Sequence, residues 1–285
     1  MELSILFLSL FHCLLLTTPG YICVQGSPNE NQLYGFRPTK LFVFGDSYAD
    51  TGNVRKSLAN SWKEPYGTTF PGKPAGRFSD GRVLTDYLAK FLGLKSPIAY
   101  TWMKLGEKRL HYGMNFAYGG SGVFNTYNLL PNMSTQISFF EKLMNNDLVY
   151  TKWDLQSSLV LVALAGNDYA AYVSNNGTAK QTVEKLNKET QDSAFLVLDL
   201  YSSFTTVLEH KRDYSGNLKF ETPLKPCCMG VSNGFFCGSV DENGAKMYTV
   251  CNDPKSAFFW DASHPTEAGW HAVYSALKPT LEQFF

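Results

Sequence analysis

Two kinds of hydrophobic run alternate along the chain. Unbroken apolar runs stand at Leu41–Phe44 ("LFVF"), Leu159–Leu164 ("LVLVAL") and Ala194–Leu200 ("AFLVLDL"). Their length and their bounding Gly and Asp residues predict strands buried on both faces. Between them apolar residues recur at helical spacing: Val83, Leu84, Tyr87, Leu88 and Phe91, closed by Gly93; then Ile137, Phe140 and Met144; and last Trp270, Val273, Tyr274 and Leu277. These predict amphipathic helices. Asn115–Ala117 predicts a short strand and Val183–Glu189 another helix. Residues 53–81, rich in Gly, Pro and Ser, predict a long surface loop, and residues 213–256 show no clear period. Apolar strands alternating with helices predict an α/β fold, a mostly parallel sheet covered on both faces. In such sheets chemistry collects beyond the strands' C-terminal ends. Ser47 and Asn167 both stand just past the end of an apolar run.

Composition adds limits. Apolar residues make up 44% of 285, enough for a substantial core. The 25 basic and 25 acidic residues cancel, and no basic stripe interrupts the sequence, so no nucleic-acid partner is expected. Aromatics reach 15%. Core packing accounts for most such rings, and an apolar or sugar-stacking groove is the sharper alternative.

The N-terminus changes the domain picture. Leu3 to Leu16 is mostly Leu, Ile and Phe, yet shorter than the ~20 residues a membrane span needs. Small residues follow. The pattern predicts an export signal over residues 1–26, cut after Gly26 or alternatively Gly20, and one domain over 27–285. No Lys or Arg precedes the apolar run and Glu2 is acidic, which departs from the usual signal. A buried N-terminal helix is the alternative. No later stretch reaches transmembrane length.

Removing that signal takes Cys13 and Cys23 with it and leaves Cys227, Cys228, Cys237 and Cys251. A clustered, even set in an exported chain predicts two disulfides, with three pairings open and adjacent Cys227 and Cys228 expected to bond elsewhere. Zinc would want C-x-x-C or a nearby His pair, and neither occurs, so no metal or cofactor is expected. Asn132-Met-Ser134 and Asn176-Gly-Thr178 are N-glycosylation sequons, which places both asparagines facing solvent in a secreted glycoprotein.

A serine at a strand mouth needs a base, because its hydroxyl is a poor nucleophile until a neighbour takes the proton. Of five histidines, His264 is the best placed. It stands in "DASHPTEAGW", three residues after Asp261. Pro265 steers His264 away from helical geometry and itself suits the first turn of the following helix. Asp261 could accept from the imidazole Nδ1–H and fix the tautomer. Alone, GDS is an ordinary strand exit and D-x-x-H a common spacing. The combination also needs an oxyanion hole. Gly120 in "NFAYGGSG" can bring a backbone N–H close to a ligand, and Asn167 in "LAGND" can offer its side-chain NH₂. A tight turn and a helix cap are the plain alternatives for those two.

Four blocks, "FVFGDSYADTGN", "NFAYGGSG", "LVALAGND" and "DASHPTEAGW", occur in the order of the four blocks of the SGNH hydrolases. More narrowly the chain resembles the plant GDSL esterase/lipases, as do "GRFSDGRVLTDYLAKFLGL" and "KPCCMG…CG…C". The resemblance covers nearly everything from Lys40 to Leu277. It implies Ser47 as nucleophile, Gly120 and Asn167 with the Ser47 N–H as oxyanion hole, His264 as base and Asp261 as its orienting acid. It also implies a flavodoxin-like three-layer α/β/α sandwich, secretion, no metal, and hydrolysis of carboxylic esters of lipids or acylated sugars. The expected partner is a small-molecule or lipid ester, and the expected state a monomer. No G-x-S-x-G is present, which excludes the α/β-hydrolase elbow.

Two departures stand out. GDSL is GDSY here, so Tyr48 is expected to alter the pocket wall. The interval from Asp168 to Phe195 holds one helix where family members carry another helix-strand unit, so the sheet is expected to be one strand short. A protein inactivated by that loss, or an acyltransferase using the same residues, are the rival functions.

Overall fold

A computed structural model describes residues 12–17, 37–126, 130–146, 148–164, 166–174, 195–209, 220 and 222–284. The strands are β1 (His12–Thr17), β2 (Lys40–Gly45), β3 (Ile98–Ala99), β4 (Gly113–Asn115), β5 (Ser158–Leu164), β6 (Phe195–Asp199), β7 (Cys228–Gly230) and β8 (Tyr248–Val250). The α-helices are α1 (Leu84–Phe91), α2 (Met133–Asn145), α3 (Lys152–Gln156), α4 (Gly166–Ser174), α5 (Leu200–Glu209) and α6 (Glu267–Phe284). Six strands form one sheet in the order β3-β4-β2-β5-β1-β6, and β7 and β8 pair separately. Pairs β2/β4, β2/β5 and β3/β4 are parallel, while β1 runs antiparallel to both β5 and β6.

Successive side chains of a strand point to opposite faces, and β2 and β5 each feed two cores. Leu41, Val43, Leu159 and Leu161 join one cluster with Leu84 and Leu88 of α1, Phe204 of α5 and Trp270 and Leu277 of α6. Phe42, Phe44 and Val160 join another with Met114, Phe116 and Leu143 of α2. Helices therefore cover both faces, which is the expected α/β/α layering with a mostly parallel sheet. The apolar runs are unbroken because both faces of these strands are buried.

Helix α1 ends as its sequence predicts. Gly93 has φ 70°, Leu94 N donates to Ala89 O at 2.8 Å and Gly93 N to Lys90 O at 3.1 Å, the paired bonds of a glycine-terminated helix. The strand expected at Asn115–Ala117 lies two residues earlier, at β4. The helix expected over Val183–Glu189 lies outside the described residues. Residues 53–81 are not the expected surface loop. Ser61, Tyr66, Ser79 and Asp80 are buried there, and Tyr66 packs with Cys227, Cys228 and Trp260 in a third cluster. The cysteines form the two expected disulfides, Cys227–Cys251 and Cys228–Cys237.

In the uncut chain the place of the expected missing strand is filled. His12–Thr17, assigned above to the export signal, occupies the place between β5 and β6, pairing residue by residue from His12↔Leu164 to Thr17↔Leu159 and from His12↔Asp199 to Leu16↔Phe195. The physical reason is backbone pairing. Two buried strands separated by a strand's width need N–H and C=O partners, and a leucine-rich extended run supplies them.

Candidate active site

Strand β2 ends at Gly45, and a side chain there would put its Cβ 2.5 Å from the Ala163 carbonyl oxygen of β5. Only glycine permits that approach. The chain then makes one tight turn, with Ala49 N and Asp50 N donating to Asp46 O at 3.1 and 2.9 Å. That turn holds Ser47 at the sheet's C-terminal edge.

The other half of the site comes from the loop before α6. Asp261 Oδ1 accepts the backbone N–H of Ser263 and of His264, each at 3.0 Å, which curls the loop around the carboxylate. His264 Nδ1 lies 2.7 Å from Asp261 Oδ1 and 2.9 Å from Oδ2, and His264 Nε2 lies 2.8 Å from Ser47 Oγ. With Nδ1–H donating to Asp261, Nε2 is the acceptor for the Ser47 hydroxyl. Three residues from opposite ends of the chain thus meet in one hydrogen-bonded row. Pro265 is not in the first turn of α6. It bridges to Phe259, and Thr266 caps the helix by accepting from Gly269 N at 2.8 Å.

Burial works to raise Asp261, but the charge and hydrogen bond of His264 and the Tyr66 hydroxyl outweigh it and hold the carboxyl at about 2. Burial works to lower His264, and the Asp261 carboxylate outweighs it, leaving the imidazole above its ordinary value. Asp46 lacks such a partner, so burial pushes it up to about 7, and Asp50 to about 6.

Gly120 has φ 86°, a backbone geometry that glycine adopts freely. Its neighbour Gly119 donates its N–H to Asp50 Oδ2 at 2.9 Å, while Asp50 Oδ1 accepts from Gly52 N and Asn53 N at 2.7 Å each. Asn167 Nδ2 donates to Ser121 O at 2.8 Å and stands 3.4 Å from Asp46 Oδ2. The Ser47 turn, the Gly120 turn and the start of α4 therefore converge. Among the described residues neither the Ser47 nor the Gly120 backbone N–H has an acceptor. Such an arrangement can receive negative charge next to a hydroxyl whose proton has somewhere to go.

Other residues of the site carry no motif label. Tyr66 donates to Asp261 Oδ2 at 2.7 Å. Tyr48 is buried, and its hydroxyl donates to Ser263 O at 2.8 Å, tying the Ser47 turn to the His264 loop. Phe78 packs its ring 5.1 Å from that of His264. Asn53 Nδ2 donates to Asn115 O and Ala117 O at 2.8 Å, and Asn115 Nδ2 donates to Ala49 O at 2.7 Å. Asp50, Asn53 and Asn115 lie within or beside the recognised blocks. Their only signal was polarity inside segments otherwise placed at strand ends.

Asn132 is half-buried and serves as the N-cap of α2, its Oδ1 accepting from Thr135 N at 3.0 Å and its Nδ2 donating to Asn125 Oδ1 at 2.8 Å. Its side chain is partly exposed, and a glycan on Nδ2 would replace the contact with Asn125. Asn176 lies outside the described residues. Among the described residues no group of three His, Cys, Asp or Glu side chains is arranged to hold a metal, and no helix is long and apolar enough to cross a membrane.

A hydrogen-bonded serine–imidazole–carboxylate row thus stands at the C-terminal edge of the mostly parallel sheet. The GDSL-like Lipase/Acylhydrolase family profile matches residues 41–193, a span that includes Ser47, Gly120 and Asn167. The chain is 47% identical to GDSL esterase/lipase At5g03610 of Arabidopsis thaliana over 326 aligned positions, covering 90% of this chain and 91% of the relative. GDSL esterase/lipase At3g09930 of the same plant is 44% identical over 90% of this chain and 92% of its own length. The chain belongs to the GDSL lipase/acylhydrolase family and is an esterase/lipase-type hydrolase. An alignment of 326 positions exceeds the 285 residues present, so the relative carries stretches this chain lacks.

Proposed function

We propose that this protein is a secreted serine esterase that cleaves carboxylic esters of lipids or acylated carbohydrates through an acyl-enzyme. The observation that carries the reading is the 2.8 Å contact of Ser47 Oγ with His264 Nε2, backed by Asp261. Ser47 Oγ attacks the ester carbonyl carbon as its proton passes to His264 Nε2. The carbonyl oxygen takes the electron pair and is received by the N–H groups of Ser47 and Gly120 and the Asn167 amide. As the tetrahedral species collapses, the C–O bond to the alcohol breaks and the imidazolium gives the leaving alkoxide its proton. Water then adds to the acyl carbon, loses a proton to His264, and Ser47 leaves as its hydroxyl is restored. Asp261 keeps its negative charge throughout and holds the imidazole in orientation.

The disulfides and the apolar leader support secretion, with residues 1–26 as the export segment, Asn132 and Asn176 as glycan acceptors, and a monomeric domain doing the chemistry. The test is covalent. A fluorophosphonate should label Ser47, identified by peptide mass. Ser47→Ala should abolish labelling and nearly all hydrolysis of p-nitrophenyl acetate. Wild-type rates from pure Ser47→Ala protein would discard the mechanism.

A further inference from the structure

A cavity of about 470 Å³ has walls that carry Lys56, Lys73, Arg77 and Arg109 and no Asp or Glu. Two tryptophans, Trp62 and Trp102, also line it. Trp62 Nε1 donates to Val54 O at 2.6 Å and Trp102 Nε1 to Gly52 O at 2.9 Å. Both indoles are thereby fixed to one three-residue stretch, with their ring centroids 5.9 Å apart. The Lys56 ammonium stands over both, 5.2 Å from the Trp62 ring and 5.8 Å from the Trp102 ring.

The cations differ in what they are free to do. Arg77 is engaged by both oxygens of Asp86 at 2.8 Å, and Arg109 donates to Ser96 O. Lys56 has the two indole faces for company, and Lys73 has no ion-pair partner among the described residues. None of Ser47, Gly120, Asn167, Asp261 and His264 lines the cavity, but two of its lining residues adjoin the site along the chain. Thr51 lines it four residues after Ser47, and Arg77 lines it next to Phe78, whose ring packs on His264.

Fixed indole faces take flat or ring-shaped apolar surface, such as the C–H face of a sugar. The Lys56 ammonium above them and that of Lys73, which also lines the cavity, take an anion. A fatty chain would want the first and reject the second. We propose that this cavity is a carbohydrate subsite for an anionic sugar ring, a uronate, so that the ester cleaved at Ser47 belongs to an acylated acidic oligosaccharide. The inference rests on the esterase reading above and names its substrate class.

Binding and turnover separate the two. Tri-galacturonic acid titrated into Ser47→Ala protein should quench tryptophan fluorescence saturably, and xylotriose should not. The Lys56→Glu/Lys73→Glu double variant should weaken tri-galacturonate binding by about tenfold, the scale of a lost charge-assisted contact, and raised salt should weaken it as well. In turnover, the ratio of kcat/KM for acetylated oligogalacturonide to that for acetylated xylo-oligosaccharide should fall by a similar factor in the double variant. Saturable quenching without any ester hydrolysis would keep the subsite and overturn the esterase reading. Equal response to acidic and neutral trisaccharides, an unchanged ratio on charge reversal, or binding to phosphatidic acid vesicles with none to tri-galacturonate would overturn the subsite.

Discussion

At the scale of single residues, the site is governed by whether a buried acid's partners outweigh the cost of its burial. Asp261 has His264 and Tyr66 and is held down, whereas Asp46 and Asp50 are raised by burial. The proposed mechanism needs neutral His264. Because the imidazole lies above its ordinary value, the acid limb of kcat/KM should centre above ~6.5. Stability should run the other way. A raised His264 contributes stability fully present below its unfolded value of ~6.5 and lost as pH rises through its folded value. Raised Asp46 and Asp50 contribute stability lost as pH climbs from ~4 through about 6 and 7. Asp261, held at about 2, is constant over that interval. Thermal midpoints should therefore fall between pH 5.5 and 8 while kcat/KM rises, and midpoints that climb with kcat/KM would contradict this assignment. Tyr66→Phe tests the carboxylate's second partner. Losing a hydrogen bond to a charged group should cut kcat by about tenfold with little change in KM. It should also move the acid limb upward, because an Asp261 without that donor holds the proton on His264 more firmly. A structural role alone would leave the limb in place. The triad was legible in the sequence because GDS, GGSG, GND and D-x-x-H occur in order. Tyr66 was not, because nothing in "EPYGT" shows that its hydroxyl reaches 195 residues along the chain.

At the scale of elements, β2 is positioned by one helix side chain. Gln136 of α2 is buried, its Oε1 accepting Gly45 N and its Nε2 donating to Gly45 O, each at 2.9 Å. It does for the last residue of β2 what a neighbouring strand would do, one residue before Asp46. Gln136→Leu leaves the Gly45 N–H buried without an acceptor, a loss of about 1–3 kcal/mol. Chemical denaturation should show a lower midpoint with an unchanged slope, and unaltered stability would mean the pair contributes nothing net. Hydrophobic periodicity found α2 and placed Phe140 and Met144 on the core correctly, but it misjudged one position and missed two. Ile137 was placed on the apolar face and is 38% exposed, while Gln136 and Leu143 face inward. A buried glutamine is invisible to a pattern that counts only apolar residues. The strands β2 and β5 were legible for the opposite reason, since burial on both faces leaves no polar interruption.

At the scale of the whole molecule, one segment of sequence has two uses. Neither periodicity nor spacing could show that the leucine-rich run at 12–17 fits the gap left between Asp168 and Phe195, because pairing across a sheet is a backbone affair between distant segments. In the uncut chain β1 bonds to β5 over six residue pairs and to β6 over five. The proposed cleavage after Gly26 would remove it. Strands β5 and β6 then stand two strand spacings apart, roughly 9–10 Å, each with an unpaired edge. A chain beginning at residue 27 should melt at least about 5 °C below the full chain, and should associate with rising concentration as its open edges find strands in other copies. Calorimetry and sedimentation measure the two effects. Leu15→Pro in the full chain tests the same strand without truncation, since proline cannot donate to the ladder, and should lower the midpoint in the same direction. Equal midpoints for all three proteins would mean that β1 contributes nothing to the fold. If the midpoints fall as argued, the N-terminal sequence of the exported protein decides which form carries out the hydrolysis. A start near residue 27 delivers a sheet with a gap, and an uncut start delivers the closed one.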